Sequence, residues 1–168
     1  MIRPATPADT PALLALTAAT GKFKPLEIET LGEVLDGYFD DAMTQGHHCV
    51  VWEDGGAIRA YAYFAPAAMT DRTWYLYWIA VDPAFQGQKL GRKLMAHAEE
   101  RIAAEAGRLL LIETSSTPAY EPTRNFYLKL GYDVVATLPD YYADGDSMVV
   151  FARRITASAG RMTPDAHP

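Results

Sequence analysis

The chain has 168 residues, 49% of them apolar and 21% charged, which is typical of one soluble globular domain and excludes a fibrous or low-complexity protein. Its formal net charge of −6 argues against nucleic acid as a partner and mildly favours a cationic or amine-bearing one. A single cysteine, Cys49, excludes an intrachain disulfide and lies in an apolar run, where we expect a buried, unreactive thiol. No apolar run reaches transmembrane length and no secretory signal is recognised, so we expect a cytoplasmic protein.

The first half of the chain predicts two helices followed by an antiparallel meander. Thr6, Pro7 and Asp9 form a helix-start pattern, and the second helix places apolar residues on one face. The turn signal at 53–56 joins two apolar runs as a hairpin. The predicted elements are a strand at 2–3, helices over 6–21 and 27–40, and strands over 48–52, 58–64 and 74–81.

The second half predicts a long helix, a buried strand of the parallel type, a short helix and two closing strands. Leu90, Leu94, Ala98 and Ile102 form one apolar stripe of the long helix. The later elements are a strand over 109–114, a helix from about 122 to 130, and strands over 132–138 and 147–155, with a polar aromatic loop at 140–146. Residues 1–155 are expected to form one domain, and 156–168 a disordered tail.

The segment from Val81 to Arg92 connects a buried strand to an amphipathic helix through a short loop that contains glycine. Such a connection directs unpaired backbone N–H groups and the positive end of the helix dipole at one point. Arg92 and Lys93 place two cations in the first helical turn, where the dipole favours acids. This pattern predicts a bound polyanion, most naturally a phosphate.

Three phosphate-binding loops compete for this segment. The dinucleotide fingerprint needs three glycines, and the loop has only Gly87 and Gly91. The Walker loop needs a second glycine five residues after Gly87, and Arg92 occupies that position. Gln86-x-x-Lys89-x-Gly91 resembles the Gln/Arg-x-x-Gly-x-Gly/Ala loop of the GNAT acetyltransferase superfamily, which holds the pyrophosphate of coenzyme A. A plain strand-to-helix turn remains the structural alternative.

A second segment supports that resemblance. The stretch Arg124-Asn125-Phe126-Tyr127, with Gly131-Tyr132 after it, is similar to the Ala-Arg-x-Phe-Tyr-x-x-x-Gly-Phe/Tyr signature of the same superfamily. The resemblance covers residues 1–155 and implies the GNAT fold, a layered α/β structure. Its central sheet would have about seven mixed, mostly antiparallel strands, splayed between strands 4 and 5 and flanked by about four helices. Dimers are common in the superfamily, so a homodimer is the assembly that the resemblance implies.

The resemblance implies acetyl-CoA as the cofactor, with its pantetheine arm between strands 4 and 5. Two positions depart from the family pattern. Lys89 replaces a glycine, a substitution expected to cost little in a near-helical conformation. Tyr120 stands where an asparagine often holds the pantetheine arm, and Asn125 is nearby in sequence. The implied coenzyme-binding residues are Ile79, Val81, Gln86, Gly87, Gln88, Lys89, Leu90, Gly91, Arg92, Tyr120 and Asn125.

Two residues are candidates for the chemistry. Tyr127 occupies the signature tyrosine that reaches the coenzyme sulfur in many relatives, and a phenol with a pKa of about 10 suits an acid for the leaving thiolate. Its alternative role is packing in the core. Glu113 follows four aliphatic residues and resembles the base of ribosomal-protein N-terminal acetyltransferases. Burial would raise its pKa and improve it as a proton acceptor, whereas a structural carboxylate is the alternative.

The acceptor is expected among aromatic residues. Strict alternation along the fourth strand would place Tyr75, Tyr77 and Ile79 on one face, opposite Trp74, Leu76 and Trp78. An aromatic cleft with carboxylates suits a small amine or amino acid, and the histidines show no metal-binding spacing, so no metal is expected. Tyr75 also stands where some relatives carry a carboxylate that acts as the catalytic base. The candidate acceptor residues are Phe23, Tyr38, Tyr75, Tyr77, Tyr141 and Tyr142.

These features together predict an N-acetyltransferase that transfers the acetyl group of acetyl-CoA to the primary amine of a small molecule through a tetrahedral intermediate. A peptide or protein amine is a second acceptor class, and O-acetyl transfer or a longer acyl donor stays open. The non-enzymatic alternative is an acetyl-CoA-binding sensor that acts through a partner.

Overall fold

The computed structural model describes residues 1–156, so nearly all of the predicted disordered tail lies outside the described residues. A sheet of seven strands has the order β1-β2-β3-β4-β5-β7-β6. Within these residues, β4 and β5 are parallel and the other neighbouring strands are antiparallel. The strands are β1 Ile2–Pro4, β2 His48–Asp54, β3 Ala57–Pro66, β4 Thr73–Val81, β5 Leu109–Ser115, β6 Asp133–Ala143 and β7 Asp146–Arg154.

Helices cover both faces of this sheet. They are α1 Thr10–Ala19, α2 Pro25–Asp40, α3 Leu90–Ala104 and α4 Glu121–Lys129, with short 3₁₀ turns between elements. One core cluster joins the sheet to α3 and α4, and a second joins it to α1 and α2. The predicted layered α/β fold with a mixed, mostly antiparallel sheet is therefore confirmed, as is the predicted order of elements.

Alternate side chains of the central strands belong to the two different cores. On β3, Ala62 and Phe64 face α3 whereas Tyr61 and Tyr63 face α1 and α2, and all four are buried. The predicted apolar stripe of α3 is buried throughout. No residue of β5, β6 or β7 among the described residues belongs to the core beneath α1 and α2. That half of the sheet is therefore covered by helices on one face only.

The strands β4 and β5 pair over only part of their length. Their register runs from Thr73–Leu109 to Leu76–Ile112 and then stops, although both strands continue. The register between β3 and β4 shifts at the same level, from Phe64–Leu76 to Tyr63–Trp78. Tyr77 is therefore the extra residue of a β-bulge, which bends a strand and interrupts its pairing. The predicted splay between strands 4 and 5 is confirmed, and it begins at this bulge.

The bulge also overturns the expected alternation along β4. Ile79 packs with the core beneath α3, the same core that contains Trp74 and Leu76, whereas Trp78 packs on the α1 and α2 side. Strict alternation had placed Ile79 opposite those residues. The prediction failed because one extra residue in a strand transfers every following side chain to the other face.

The predicted polar aromatic loop at 140–146 is wrong, because β6 continues to Ala143 and only a short turn precedes β7. Tyr141 and Tyr142 therefore lie on a strand. Pro139 does not end the strand, because β6 is an edge strand, where a residue without an N–H is tolerated. The pairing of β6 with β7 is irregular here: its register shifts between Leu138 and Ala143, and Asp140 has a positive φ of 52°. All residues of β6 are exposed.

Gly107 joins α3 to β5 at the closed end of the splay. Its N–H donates to the Ile102 carbonyl oxygen at 2.7 Å. A β-carbon at Gly107 would lie 2.2 Å from Ile102 Cγ2, 2.7 Å from Trp74 Nε1 and 2.9 Å from the Ile102 carbonyl oxygen. The lack of a side chain therefore lets the start of β5 lie against Trp74 of β4.

We predict that Gly107→Ala lowers the free energy of unfolding by about 1–3 kcal/mol, the usual cost of overpacking a core. Gly37→Ala is the matched control, because a β-carbon at this exposed position of α2 meets nothing within 4 Å. The control should gain about 0.5–1 kcal/mol from helix propensity. Equilibrium unfolding in denaturant measures both values, and equal effects of the two substitutions would contradict this account of Gly107.

Candidate active site

A cleft of about 700 Å³ opens where β4 and β5 separate. It is bounded by the loop before α3, by α4 and by the loop between α1 and α2. Of the predicted site residues, it brings together Ile79, Val81, Gln86, Gly87, Lys89, Leu90, Gly91, Arg92, Tyr120, Tyr127, Glu113, Phe23 and Tyr77. Its lining leaves out Gln88, Asn125, Tyr38, Tyr75, Tyr141 and Tyr142.

The loop before α3 presents free backbone donors to one end of the cleft. In the described part of the chain, none of the backbone N–H groups from 87 to 92 has an acceptor among the hydrogen bonds of the fold. The φ angles of Gly87 and Lys89, +81° and +63°, turn the chain into the helix. Arg92 is exposed beside these donors. Unpaired donors, a helix N-terminus and cations together can hold a phosphate group.

Lys89 has the left-handed backbone conformation, with φ 63° and ψ 19°. The sequence had predicted a near-helical conformation in which a β-carbon costs little, and that prediction is wrong. A left-handed residue other than glycine costs about 1 kcal/mol, since its β-carbon approaches the neighbouring backbone. The glycine that the family pattern has at this position avoids that cost. Lys89 instead places a charged ammonium group at the mouth of the loop.

The two sequence motifs meet in space at Gly91 and Phe126. A β-carbon at Gly91 would lie 3.1 Å from Phe126 Cζ, closer than most packed carbons approach. The glycine therefore lets the first turn of α3 rest on the aromatic ring of α4. Sequence reasoning did not assign a role to Phe126, although it lies in the second motif. Its ring sets the distance between the phosphate loop and the helix that carries Tyr127.

Beyond the bulge, one backbone edge of β4 faces the cleft. Asp82 N–H donates to the Arg59 carbonyl oxygen of β3 at 2.8 Å. Backbone groups of alternate residues point in opposite directions along a strand, so those of Ile79 and Val81 point away from β3 and toward the gap. Because β5 has already diverged at this level, these groups are available to an extended ligand.

Tyr127 is both a core residue and a cleft residue. Its side chain is 2% exposed and packs against the rings of Phe126, Tyr132 and Phe151. The residue also lines the cleft. Burial raises the pKa of the phenol above its usual value, so the hydroxyl group stays protonated at neutral pH.

Glu113 lies on the opposite side of the sheet from Tyr127. Its neighbour Ile112 packs into the core beneath α3 and α4, and alternation directs Glu113 to the uncovered face. The expectation of a buried carboxylate is wrong, because Glu113 is exposed. From Leu109 to Glu113, partly or fully exposed residues alternate with buried ones, because helices cover only one face of β5. The pKa values of Tyr75 and Tyr77 are raised, mainly by partial burial and secondly by the negative charge of Glu113.

A hydrogen-bonded bridge crosses the cleft between the α1–α2 loop and the start of α4. The Tyr120 hydroxyl donates to the Lys22 carbonyl oxygen at 2.8 Å, and Lys22 Nζ donates to Thr123 Oγ1 at 3.1 Å. Phe23 lines the cleft beneath this bridge. The sequence reasoning predicted a coenzyme contact for Tyr120 but missed Lys22 and Thr123. No motif marked those two residues, because the contact joins positions about a hundred residues apart.

The remaining acceptor candidates lie in two places. Tyr38 is 3% exposed and packs against Phe39 and Tyr63, so its ring belongs to the core beneath α2 rather than to the cleft. Tyr75 stacks near Tyr77, with ring centroids 5.6 Å apart, at the bulge of β4. Tyr141 and Tyr142 lie on the exposed edge strand, 55% and 42% exposed.

A polar frame holds the end of β5 next to the cleft. Arg124 Nη1 donates to the carbonyl oxygens of Ser115 and Thr117 at 2.7 and 2.8 Å. Ser115 Oγ donates to Asp146 Oδ1 at 2.6 Å. This role of Arg124 was missed, although its place in the second motif was a signal. The frame fixes the diverging end of β5 against α4 and β7.

Residues 1–156 contain no group of three or more His, Cys, Asp or Glu side chains placed to hold a metal ion. None of their helices is long and apolar enough to cross a membrane. Cys49 is 1% exposed, and burial raises the pKa of its thiol to about 12, as expected of an unreactive cysteine.

Comparisons with known proteins agree with this geometry. Residues 45–134 match the family model described as an acetyltransferase (GNAT) domain. A GNAT-family protein from Desulfovibrio desulfuricans is 32% identical, with a TM-score of 0.89 over 93% of this chain and 99% of its own. No curated protein matches the sequence significantly.

More distant structures share the fold. Ribosomal-protein-alanine N-acetyltransferase from Brucella melitensis is 20% identical, with a TM-score of 0.73 over 92% of this chain and 99% of its own. An aminoglycoside 6′-N-acetyltransferase solved with coenzyme A is 18% identical, with a TM-score of 0.72 over 93% of this chain and 97% of its own. The family model and the Desulfovibrio relative together show that the chain belongs to the GNAT family of N-acetyltransferases.

Proposed function

We propose that the protein transfers the acetyl group of acetyl-CoA to the primary amine of a small molecule. The observation that carries this proposal is a cleft that passes through the sheet, with the Tyr127 phenol on the side of α3 and α4 and the Glu113 carboxylate on the open side. A coenzyme held by the α3 loop and an amine entering from the open side would meet between these two groups.

The residues of the cleft fit coenzyme A. The free N–H groups of 87–92, with Lys89 and Arg92, match a pyrophosphate in charge and in donor count. The backbone groups of Ile79 and Val81 match the amides of an extended pantetheine arm. Acetyl-CoA supplies an acetyl thioester, and the aminoglycoside acetyltransferase of the same fold was solved with coenzyme A in place. Gln86, Gly87, Leu90 and Gly91 complete this proposed cradle, and Tyr120 acts through its bond to Lys22.

Glu113 is proposed as the base. An alkyl ammonium group, with a pKa of about 10.4, must lose a proton before its nitrogen can attack a carbonyl carbon. The Glu113 carboxylate accepts that proton, directly or through water, as the C–N bond forms and the C–S bond breaks. Its exposed position lets the proton pass on to solvent.

Tyr127 is proposed as the acid. The departing thiolate takes the proton from the hydroxyl group of Tyr127, a residue that lines the cleft. As the C–S bond breaks, the nitrogen of the tetrahedral intermediate loses its second proton, which restores the Tyr127 hydroxyl directly or through water, so the products are the neutral amide and the free thiol. The buried surroundings keep the phenol neutral until the thiolate forms.

The bridge over the cleft favours a small acceptor. Tyr120 and Lys22 close one side of the opening, and a folded protein surface would have to displace them. The ribosomal-protein acetyltransferase of the same fold acts on a protein amine, so the fold itself accommodates either class.

We further propose one catalytic domain over residues 1–155, a cytoplasmic location and a homodimer, each of which stays a prediction.

Tyr127→Phe should lower kcat by about 10²–10⁴-fold and leave the Kd for acetyl-CoA nearly unchanged, because the ring stays packed and only the proton donor is lost. Thiol release under saturating substrates and calorimetric titration measure the two quantities. Tyr61→Phe is the matched control, since Tyr61 is buried and shares a hydrogen bond with Thr17 away from the cleft. An unchanged kcat for Tyr127→Phe would exclude the acid role.

Glu113→Gln should lower kcat/KM by about 10²–10⁴-fold and remove the fall in rate at acidic pH that protonation of the base causes. The measurement is a pH–rate profile of both enzymes. Glu100→Gln, on the exposed surface of α3, makes the same change of charge away from the cleft and should retain the wild-type profile. If the Glu113→Gln profile keeps the wild-type acidic limb, Glu113 is not the base.

Lys89→Gly should raise the free energy of unfolding by about 1 kcal/mol, because glycine adopts the left-handed conformation without strain. It should also weaken acetyl-CoA binding about tenfold through the loss of one charged contact. Lys89→Gln keeps the strained backbone and removes the charge, so it should weaken binding equally without the gain in stability. Denaturant unfolding and calorimetry separate the two effects, and no gain from glycine would contradict the strain.

A further inference from the structure

Strand register places an aromatic residue beside Glu113 at the mouth of the gap between β4 and β5. The last paired residues of these strands are Leu76 and Ile112. Tyr77 and Glu113 are the next residues of the two strands, and both line the cleft. Paired strands lie about 4.8 Å apart, so Tyr77 and Glu113 lie close together before the strands diverge.

The ring of Tyr77 lies on the α1 and α2 side of the sheet, from which the acceptor is proposed to enter. Its centroid is 6.3 Å from that of Tyr63 and 6.2 Å from that of Trp78, and both neighbours belong to the packing beneath α1 and α2. Tyr77 is nevertheless 49% exposed. Bulges are frequent next to active sites, where they redirect a side chain. The bulge thus leaves half of this residue available to a ligand.

The loop between α1 and α2 supplies a second aromatic residue, Phe23, to the same cleft. Both of its neighbours are anchored. Lys22 is held to the start of α4 by hydrogen bonds of 2.8 and 3.1 Å, and the Lys24 N–H donates to Glu27 Oε2 at 2.6 Å. The ring itself pairs with no other aromatic ring among residues 1–156. The loop therefore holds this ring at the cleft without stacking it on a neighbour.

The charged groups of the cleft limit what an acceptor can carry. Glu113 is the only acidic residue in the lining of the cleft within residues 1–156. Apart from Lys22, whose Nζ donates to Thr123 Oγ1, the basic residues of the lining belong to α3, the loop before it and α4. One carboxylate pairs with one ammonium group. The rest of an acceptor on this side meets the aromatic residues.

We infer that the acceptor is a primary amine joined by a short chain to a flat aromatic ring, with its nitrogen at Glu113 and its ring between Tyr77 and Phe23. This inference depends on the proposed transfer to a small amine. Contacts between aromatic rings favour a flat ring over an aliphatic group of similar size. A strand spacing of about 4.8 Å suits a chain of about two carbons between ring and nitrogen, as in 2-phenylethylamine.

Ring contacts are suited to the reaction because they persist while the charge of the acceptor changes. The ammonium form of the acceptor and acetyl-CoA give the amide, the free thiol and one proton. The nitrogen must become neutral before it attacks, so its ion pair with Glu113 is lost on the way to the transition state. Contacts of the aromatic ring with Tyr77 and Phe23 do not depend on that charge, and they keep the neutral amine in place.

The test compares three primary amines, 2-phenylethylamine, 2-cyclohexylethylamine and butan-1-amine, with acetyl-CoA and the full-length enzyme. Thiol release should give a kcat/KM for 2-phenylethylamine about 10–100-fold above that for butan-1-amine, because a buried ring is added. It should also exceed the value for 2-cyclohexylethylamine about threefold or more, because that ring is not flat. A kcat/KM for either comparison amine equal to that for 2-phenylethylamine would overturn the inference and leave the proposed function intact. No amine-dependent thiol release with any of the three would overturn the proposed small-molecule function itself.

Two variants locate the ring of the acceptor. Phe23→Leu and Tyr77→Leu keep an apolar side chain without an aromatic face. Each should lower the ratio of kcat/KM for 2-phenylethylamine to that for butan-1-amine about threefold to tenfold. Because both amines are measured on one preparation, a partial loss of folded enzyme does not change this ratio.

Leu26→Ala is the control variant for this ratio. Leu26 is 71% exposed at the start of α2, close to Phe23 in sequence, and it does not line the cleft. The control should keep the wild-type ratio. A wild-type ratio in either Phe23→Leu or Tyr77→Leu would overturn the placement of the acceptor ring between these two residues.

Discussion

The end of backbone pairing between β4 and β5 is the constraint on which the rest of this structure depends. Two neighbouring strands inside a sheet normally satisfy each other's N–H and C=O groups. Here the bulge at Tyr77 interrupts β4 after Leu76, and the polar frame around Ser115 holds β5 in its diverging course. The backbone groups left between them are costly without a partner, so the gap is suited to a ligand that supplies amides of its own.

Contact between the two helices that border the gap sets its width. The first turn of α3 carries the free N–H groups, and α4 carries Tyr127. Gly91 allows these helices to touch through the ring of Phe126, so the phosphate loop and the phenol keep a constant distance. Lys89 has a left-handed, strained backbone in the same loop, and such strain is typical of functional sites.

The sheet separates the two proposed catalytic groups by environment as well as by position. Tyr127 is buried beneath α3 and α4, which keeps its hydroxyl protonated. Glu113 lies on the face that α1 and α2 leave uncovered, where water solvates its carboxylate. A buried acid suits the protonation of a thiolate inside the cleft. A solvent-exposed base suits the removal of a proton from an amine that arrives through solvent.

The sequence by itself determined the order of the elements, the stripe of α3, the phosphate loop and the position of Tyr127, because these depend on local periodicity and on residues close together in the chain. Only the tertiary structure decided the bulge at Tyr77, the exposure of Glu113 and the strand conformation of Tyr141. Each of these depends on which neighbour covers a face or pairs with an edge. The bridge from Lys22 to Tyr120 likewise joins segments far apart in sequence, and no local pattern can encode such a contact.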